Sequence, residues 1–149
     1  MNEKKEYSLF VEGPISPSLI AESISKHSPK TTIGAHSIFL GQVRDDEIGG
    51  EKVTSIEYSC YEEMALDKMH DIREATFEKY DLTCMHIYHS LGRVPVGGIS
   101  LFVFTSSKHR RAAMDACSDV VERIKRELPV WGKEFFGENN YTWKQNTND

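Results

Sequence analysis

Between Arg110 and Leu128 the residues Ala113, Ala116, Cys117, Val120, Val121, Ile124 and Leu128 recur three and four positions apart, and the run stops just before Pro129. That spacing draws one apolar stripe along an α-helix. Proline disfavours helical backbone at the residue preceding it, so the stop has a local cause. A helix with a single broad stripe must cover it against another helix or a sheet, which makes a layered domain the expectation.

The remainder of the chain supplies the partners. Tyr7 to Val11 reads as a strand ended by Gly13-Pro14, and Ser16-Pro17 offers an N-cap with proline at the first position of a short helix through Leu19, Ile20, Ile24 and His27. Gly34 to Arg44 reads as a buried strand that runs into Asp45-Asp46-Glu47-Ile48-Gly49-Gly50, an exposed acidic loop by composition. Val53 to Tyr58 is a further strand, and Glu62 to Tyr80 a helix with Ala65, Met69, Ile72 and Thr76 on one face. Leu82 to His89 and Ile99 to Thr105 are strands, with Gly92, Pro95, Gly97 and Gly98 bending the chain between them. This order predicts an α+β domain, with helices packed on one face of a mixed, largely antiparallel sheet. No repeat or linker divides it, so residues 1–149 read as one domain with a core of about 7–143 and mobile termini.

Charge and composition exclude several functions. The net charge of −5 argues against general binding to nucleic acid or an anionic membrane, which requires an excess of Lys and Arg. Any anionic ligand must then be caught locally. The three cysteines, Cys60, Cys84 and Cys117, form no CxxC pair and no zinc-type spacing, so no metal or cofactor is expected and a reducing cytoplasm fits. All three, with His86 and His89, read as packed groups, and Trp131 and Trp143 as packing or interface anchors. The charged start Met1-Asn2-Glu3-Lys4-Lys5-Glu6 lacks the apolar stretch of a signal peptide, and no segment has the length of a membrane span.

Three places carry candidate chemistry. Thr105-Ser106-Ser107-Lys108-His109-Arg110-Arg111 puts hydroxyls and cationic groups at the start of the last helix, where free N–H groups already favour an anion. The cations oppose the helix dipole, so they either bind an anion or solvate a turn. Arg44 stands where a buried strand enters the loop, as a ligand-reading residue or as an ion-pair partner of Asp45, Asp46 or Glu47. Lys125 falls at the edge of the apolar stripe, where a lysine either snorkels or, in a partly dry pocket, acts as a proton-transfer group or nucleophile. Arg110 and Lys125 are fifteen residues apart on one helix, about 22 Å along its axis at the α-helical rise. One small ligand reaches both only across a homodimer.

Taken together, several segments resemble the large, catalytic subunit of molybdopterin synthase. They are Ile38-Phe39-Leu40-Gly41-Gln42-Val43-Arg44; Ile56-Glu57-Tyr58 with Tyr61 and Met64-Ala65; His89-Ser90-Leu91-Gly92 with Val94-Pro95-Val96-Gly97; Ser107-Lys108-His109-Arg110; and Lys125 leading to Pro129-Val130-Trp131 with Lys133-Glu134. They are collinear from about Tyr7 to Trp143. The resemblance implies an α/β-hammerhead type fold and a homodimer that carries one small ubiquitin-like sulfur-carrier subunit on each large subunit, a heterotetramer. It implies conversion of cyclic pyranopterin monophosphate into molybdopterin, the two sulfurs coming from the carrier's C-terminal thiocarboxylate. The chain ends in Asn146-Thr147-Asn148-Asp149, not Gly-Gly, so the sulfur is expected from another protein.

Carried over residue by residue, the family's substrate-contacting strand end falls on Gln42, Val43 and Arg44, its anion-binding pair on His109 and Arg110, and its first catalytic lysine on Lys125. Two departures stand out. The family carries a lysine directly after the tryptophan, whereas Trp131 is followed by Gly132 and only then by Lys133 and Glu134; an inserted residue also lies in Thr105-Ser106-Ser107-Lys108. The expectation is that Gly132 gives the backbone enough freedom for Lys133 to act as the second catalytic amine, and that Gly132, Lys133 and Glu134 join Lys125 among the substrate-binding residues. The competing readings are a non-catalytic homodimer that binds the carrier or an anionic metabolite and, more remotely, a phosphatase-like enzyme.

Overall fold

The computed structural model describes residues 8–137 and 140–144. The expected mobile termini, and Tyr7 at the head of the first expected strand, lie outside the described residues. In chain order the elements are β1 (Ser8–Glu12), α1 (Pro17–His27), β2 (Ala35–Gln42), β3 (Glu47–Ile48), β4 (Glu51–Cys60), α2 (Glu62–Lys79), β5 (Cys84–Pro95), β6 (Ile99–Ser107), α3 (Arg110–Glu127), β7 (Val130–Phe136) and β8 (Asn140–Trp143). They form one eight-stranded sheet in the order β2-β6-β5-β4-β7-β8, with β1 parallel to β5 and β3 beside β4. The remaining pairings are antiparallel, as the α+β reading requires.

β5 joins the two halves of this sheet. Its first half pairs with β6 from Cys84 to His89, and its second half pairs with β4 from Gly92 to Pro95. The expected bend at Gly92 is therefore a turn of the backbone within a continuing strand, at φ +81, a region glycine enters without steric cost. The chain reverses only after Pro95. The acidic segment differs from expectation as well: Glu47 and Ile48 pair with Lys52 and Glu51 across Gly49 and Gly50, both at positive φ. Two successive positive-φ residues make the tight turn that suits a hairpin.

Helices cover both faces of the sheet, not one. Ala65, Met69 and Ile72 of α2 and Cys117, Val120 and Ile124 of α3 pack with Ile87, Leu101 and Val103. On the other face Leu19 and Ile20 of α1 pack on Phe102 and Phe104. The reason lies in β6, whose residues from Leu101 to Ser107 are all buried. Alternate side chains point to opposite faces of a strand, so this strand demands a cover on each side.

Between α1 and β2, Gly34 donates its N–H to the Ser107 carbonyl at 3.0 Å. A Cβ at Gly34 would collide with the backbone carbonyl oxygen of Lys108. Gly34→Ala is therefore expected to lower stability by about 1 to 3 kcal/mol, the usual cost of forcing an atom into filled space. A urea midpoint unchanged from wild type would refute this close approach.

Candidate active site

The C-terminal turn of α3, the end of β2 and strands β4, β7 and β8 meet at two adjoining clefts that share Tyr58, Lys125 and Lys144. One is lined by Gln42, Val43, Arg44 and Glu134, the other by His89, Trp131 and Gly132. Six of the nine residues singled out in the sequence thus line these clefts in one subunit: Gln42, Val43, Arg44, Lys125, Gly132 and Glu134. Burial first, then the charges of Lys144 and Arg44, push the Lys125 ammonium below the ordinary lysine range, with Glu122 opposing. Lys125 as a whole keeps much of its surface open to solvent, yet it lines both clefts, and its ammonium is set among the charges of Lys144 and Arg44.

Arg44 forms the expected ion pair and also stands at the cleft. It pairs with Asp46 at 3.1 Å, yet it lines the cleft and its charge acts on Lys125. The pair is open to solvent on both sides, and exposed pairs of this kind are weak enough for an anionic ligand to displace. Beneath the cleft, His89 is buried and donates from Nδ1 to the Ser90 carbonyl at 2.8 Å. Its pKa is lowered to about 4, chiefly by burial, with the Lys125 charge adding to the effect and the Ser90 bond opposing it. The ring is neutral at pH 7 and, with its proton on Nδ1, leaves Nε2 as an acceptor. Tyr58 meets the His89 ring edge-on at 5.2 Å, and its phenol is pushed up by burial.

His109 and Arg110 are exposed at the opposite end of α3 from Lys125 and line neither cleft. The neighbouring hydroxyls do not face a ligand. Thr105 donates to the Ala113 carbonyl at 2.7 Å, Ser107 donates to the His109 carbonyl, and Ser106 bonds His36 Nδ1 at 2.7 Å. What remains at that helix end is an exposed surface of Lys108, Arg110 and Arg111 beside His109, with Arg111 3.8 Å from Asp115.

Lys133 departs from expectation. Its amine lies over the rings of Tyr141 at 4.4 Å and Trp143 at 5.1 Å, on the face of β7 turned away from Lys125. Strand alternation is the cause: Gly132 and Glu134 share the cleft face, so Lys133 must take the other. The residue that sequence reasoning missed is Lys144, just beyond β8, which lines both clefts. Had Val130 to Phe136 been read as a strand, the period of two would have turned Lys133 away from the cleft; nothing local pointed to Lys144.

A second cluster lies elsewhere. Ligand atoms of His27, Cys84 and His86 are within 4.8 Å of one another. His27 donates from Nδ1 to the Ser23 carbonyl at 2.6 Å, its Nε2 is 3.1 Å from His86 Nε2, and Lys30 donates to Cys84 Sγ at 3.0 Å. The imidazole pair satisfies itself, and Arg73, Lys30 and Lys26 make the surroundings of His86 cationic, a poor setting for a metal ion.

Fold and cleft define an α+β protein with a lysine amine, lowered in pKa, in a cleft lined by further basic groups. Comparison with known proteins narrows this. The family model described as MoaE protein matches residues 10–127. The molybdopterin synthase catalytic subunit of Pyrococcus abyssi is 37% identical over 82% of this chain and 81% of its own length, and that of Bos taurus 33% over 98% and 77%. The Drosophila willistoni relative is 42% identical over 76% of this chain, which spans only 31% of that longer protein. Molybdopterin synthase from Staphylococcus aureus superposes with a TM-score of 0.81 at 30% identity, covering 95% of this chain and 98% of that one. A chain of the Helicobacter pylori protein-protein complex of subunits 1 and 2 of molybdopterin-converting factor shares the fold at a TM-score of 0.78 and 18% identity, covering 91% and 88%. The chain belongs to the MoaE family of molybdopterin synthase catalytic subunits. That membership places it in molybdenum cofactor biosynthesis as a sulfur-transferring enzyme subunit. Among the described residues, no helix is long and apolar enough to cross a membrane.

Proposed function

We propose that this chain converts cyclic pyranopterin monophosphate into molybdopterin in the cytoplasm, taking both sulfurs from the C-terminal thiocarboxylate of a small ubiquitin-like carrier. The observation that carries the reading is Lys125, its pKa depressed in a cleft whose wall is formed by Gln42, Val43 and Arg44. Such an amine can engage the anionic thiocarboxylate and gives up its proton more readily than an ordinary surface lysine. The arginine supplies planar donors suited to a phosphate. Gly132 and Glu134 border the same space. No metal or cofactor enters the scheme.

His109 and Arg110 contribute from a second copy. They lie fifteen and more residues from Lys125 along α3, about 22 Å for Arg110, so a phosphate held by both ends requires the cleft to be completed across a homodimer. With one carrier per large subunit the assembly is a heterotetramer, an arrangement in keeping with the two-subunit complex of the Helicobacter pylori protein of like fold. Mixed dimers of an Arg110→Ala chain with a Lys125→Ala chain are expected to regain part of the activity that each variant lacks alone. Verified mixed dimers with no regain would exclude a shared site.

The decisive assay is a single turnover with thiocarboxylated carrier and cyclic pyranopterin monophosphate, the dithiolene product being detected after oxidation to a fluorescent pterin. Product is the expected result. Its absence, with the carrier bound and a control synthase active, would instead establish a non-catalytic carrier-binding dimer.

A further inference from the structure

We propose that Lys144 is the second substrate-contacting amine of the cleft, and that Gly132 is the residue that makes room for it. The inference rests on the function proposed above and adds to it a residue from a strand that follows all the motifs. Lys144 lines both clefts together with Lys125 and Tyr58. Its backbone N–H donates to the Gly132 carbonyl at 2.8 Å, which fixes the register of the chain leaving β8 against β7. Along β8, Tyr141 and Trp143 turn to the face occupied by Lys133, so by alternation Lys144 turns to the other.

Gly132 and Lys144 are complementary in shape. A Cβ at Gly132 would lie 3.1 Å from Ile56 Cγ2, 3.5 Å from Tyr58 Cε1 and 3.6 Å from Lys144 Cβ. Gly132 thus abuts Ile56 closely and stands within van der Waals contact of Lys144, so a long side chain at this place on β7 would compete with Lys144 for one space. One strand lacks an amine where its neighbour presents one. The two lysines then divide the work. Lys144 donates a charge-assisted hydrogen bond to the thiocarboxylate oxygen, with no bond to carbon or sulfur formed at its nitrogen. Its charge also holds down the proton affinity of Lys125, the group that exchanges a proton with the reacting atoms.

The test is the single-turnover assay with the carrier complex, run across pH. Lys144→Ala is expected to slow product formation by about 10- to 100-fold, the usual weight of a lost hydrogen bond to a charged group. The acidic limb of the pH profile, set by Lys125, should move to higher pH as the neighbouring charge is removed. Lys144→Arg should retain most of the rate, and Gly132→Lys introduced into Lys144→Ala should recover part of it from the adjoining strand. A variant that merely disturbed the fold would show neither rescue nor a shifted limb. An active wild type with Lys144→Ala equally fast and its pH profile unmoved overturns the assignment while leaving the proposed function standing. A wild type that binds carrier yet forms no product overturns that function, and the Lys144 role with it. A loss on Lys133→Ala that Lys144→Ala does not share would transfer the role to Lys133.

Discussion

Lys125→Ala should reduce dithiolene formation in a single turnover by at least about 100-fold, the lower range for removing a positioned acid-base group. Carrier binding and thermal midpoint should change little, because Lys125 is an exposed residue of α3 and lies outside the buried core. The partly dry, cationic recess lowers the amine's pKa, so the group titrates closer to neutrality than a surface lysine. Lys125→Arg keeps the positive charge but not a titratable proton, and it should be nearly as impaired as the alanine variant. Full activity in Lys125→Arg would reduce the residue to a counter-charge. The rate of wild type should fall as pH drops through the depressed pKa, where the amine takes up its proton and ceases to accept one.

Acid should unfold this protein well before its carboxylates are exhausted. His89 and His86 both have folded pKa values of about 4, chiefly because they are buried, against about 6.5 for histidine in an unfolded chain. Between those values the unfolded state binds more protons, so stability falls as pH falls from 6.5 towards 4 and is unaffected above 6.5. For the fully buried His89 the loss between pH 7 and pH 4.5 is about 2 kcal/mol; His86, partly exposed, adds less. Urea midpoints at those two pH values measure it. A His89→Gln variant should be less stable at pH 7, having lost its packing beside Tyr58, but should show a shallower fall with acid. Parallel pH curves for variant and wild type would dismiss His89 as the acid-sensitive group.

Much of the site was legible because its parts follow local rules. Lys125 could be placed from the angular position of one residue on a periodic helix, and Arg44 from its place where a strand meets a glycine-rich turn. The separation of Arg110 from Lys125 followed from helical rise alone. The hydroxyls before α3 were misplaced because β6 runs two residues beyond its expected end at Thr105, drawing Ser106 and Ser107 into the sheet, where both are fully buried. Lys133 was misread for the lack of one element: β7, a strand with an unfavourable glycine near its centre, pairs with β4 over most of its length.

By itself the sequence determined the three helices, the core strands and the α+β class, since each is written in spacings of a few residues, while the amine on which the reaction is proposed to turn was marked out by the resemblance of its segment to the family's motif. Tertiary structure alone decided which amine stands beside it. Facing across neighbouring strands depends on register, which is set by pairings between residues far apart in the chain, and a shift of one position exchanges the two faces. Here β4 holds β7 with Tyr58 opposite Gly132, and β7 holds β8 with Lys133 opposite Trp143. Those two pairings turn Lys133 onto aromatic rings and bring Lys144 to the cleft.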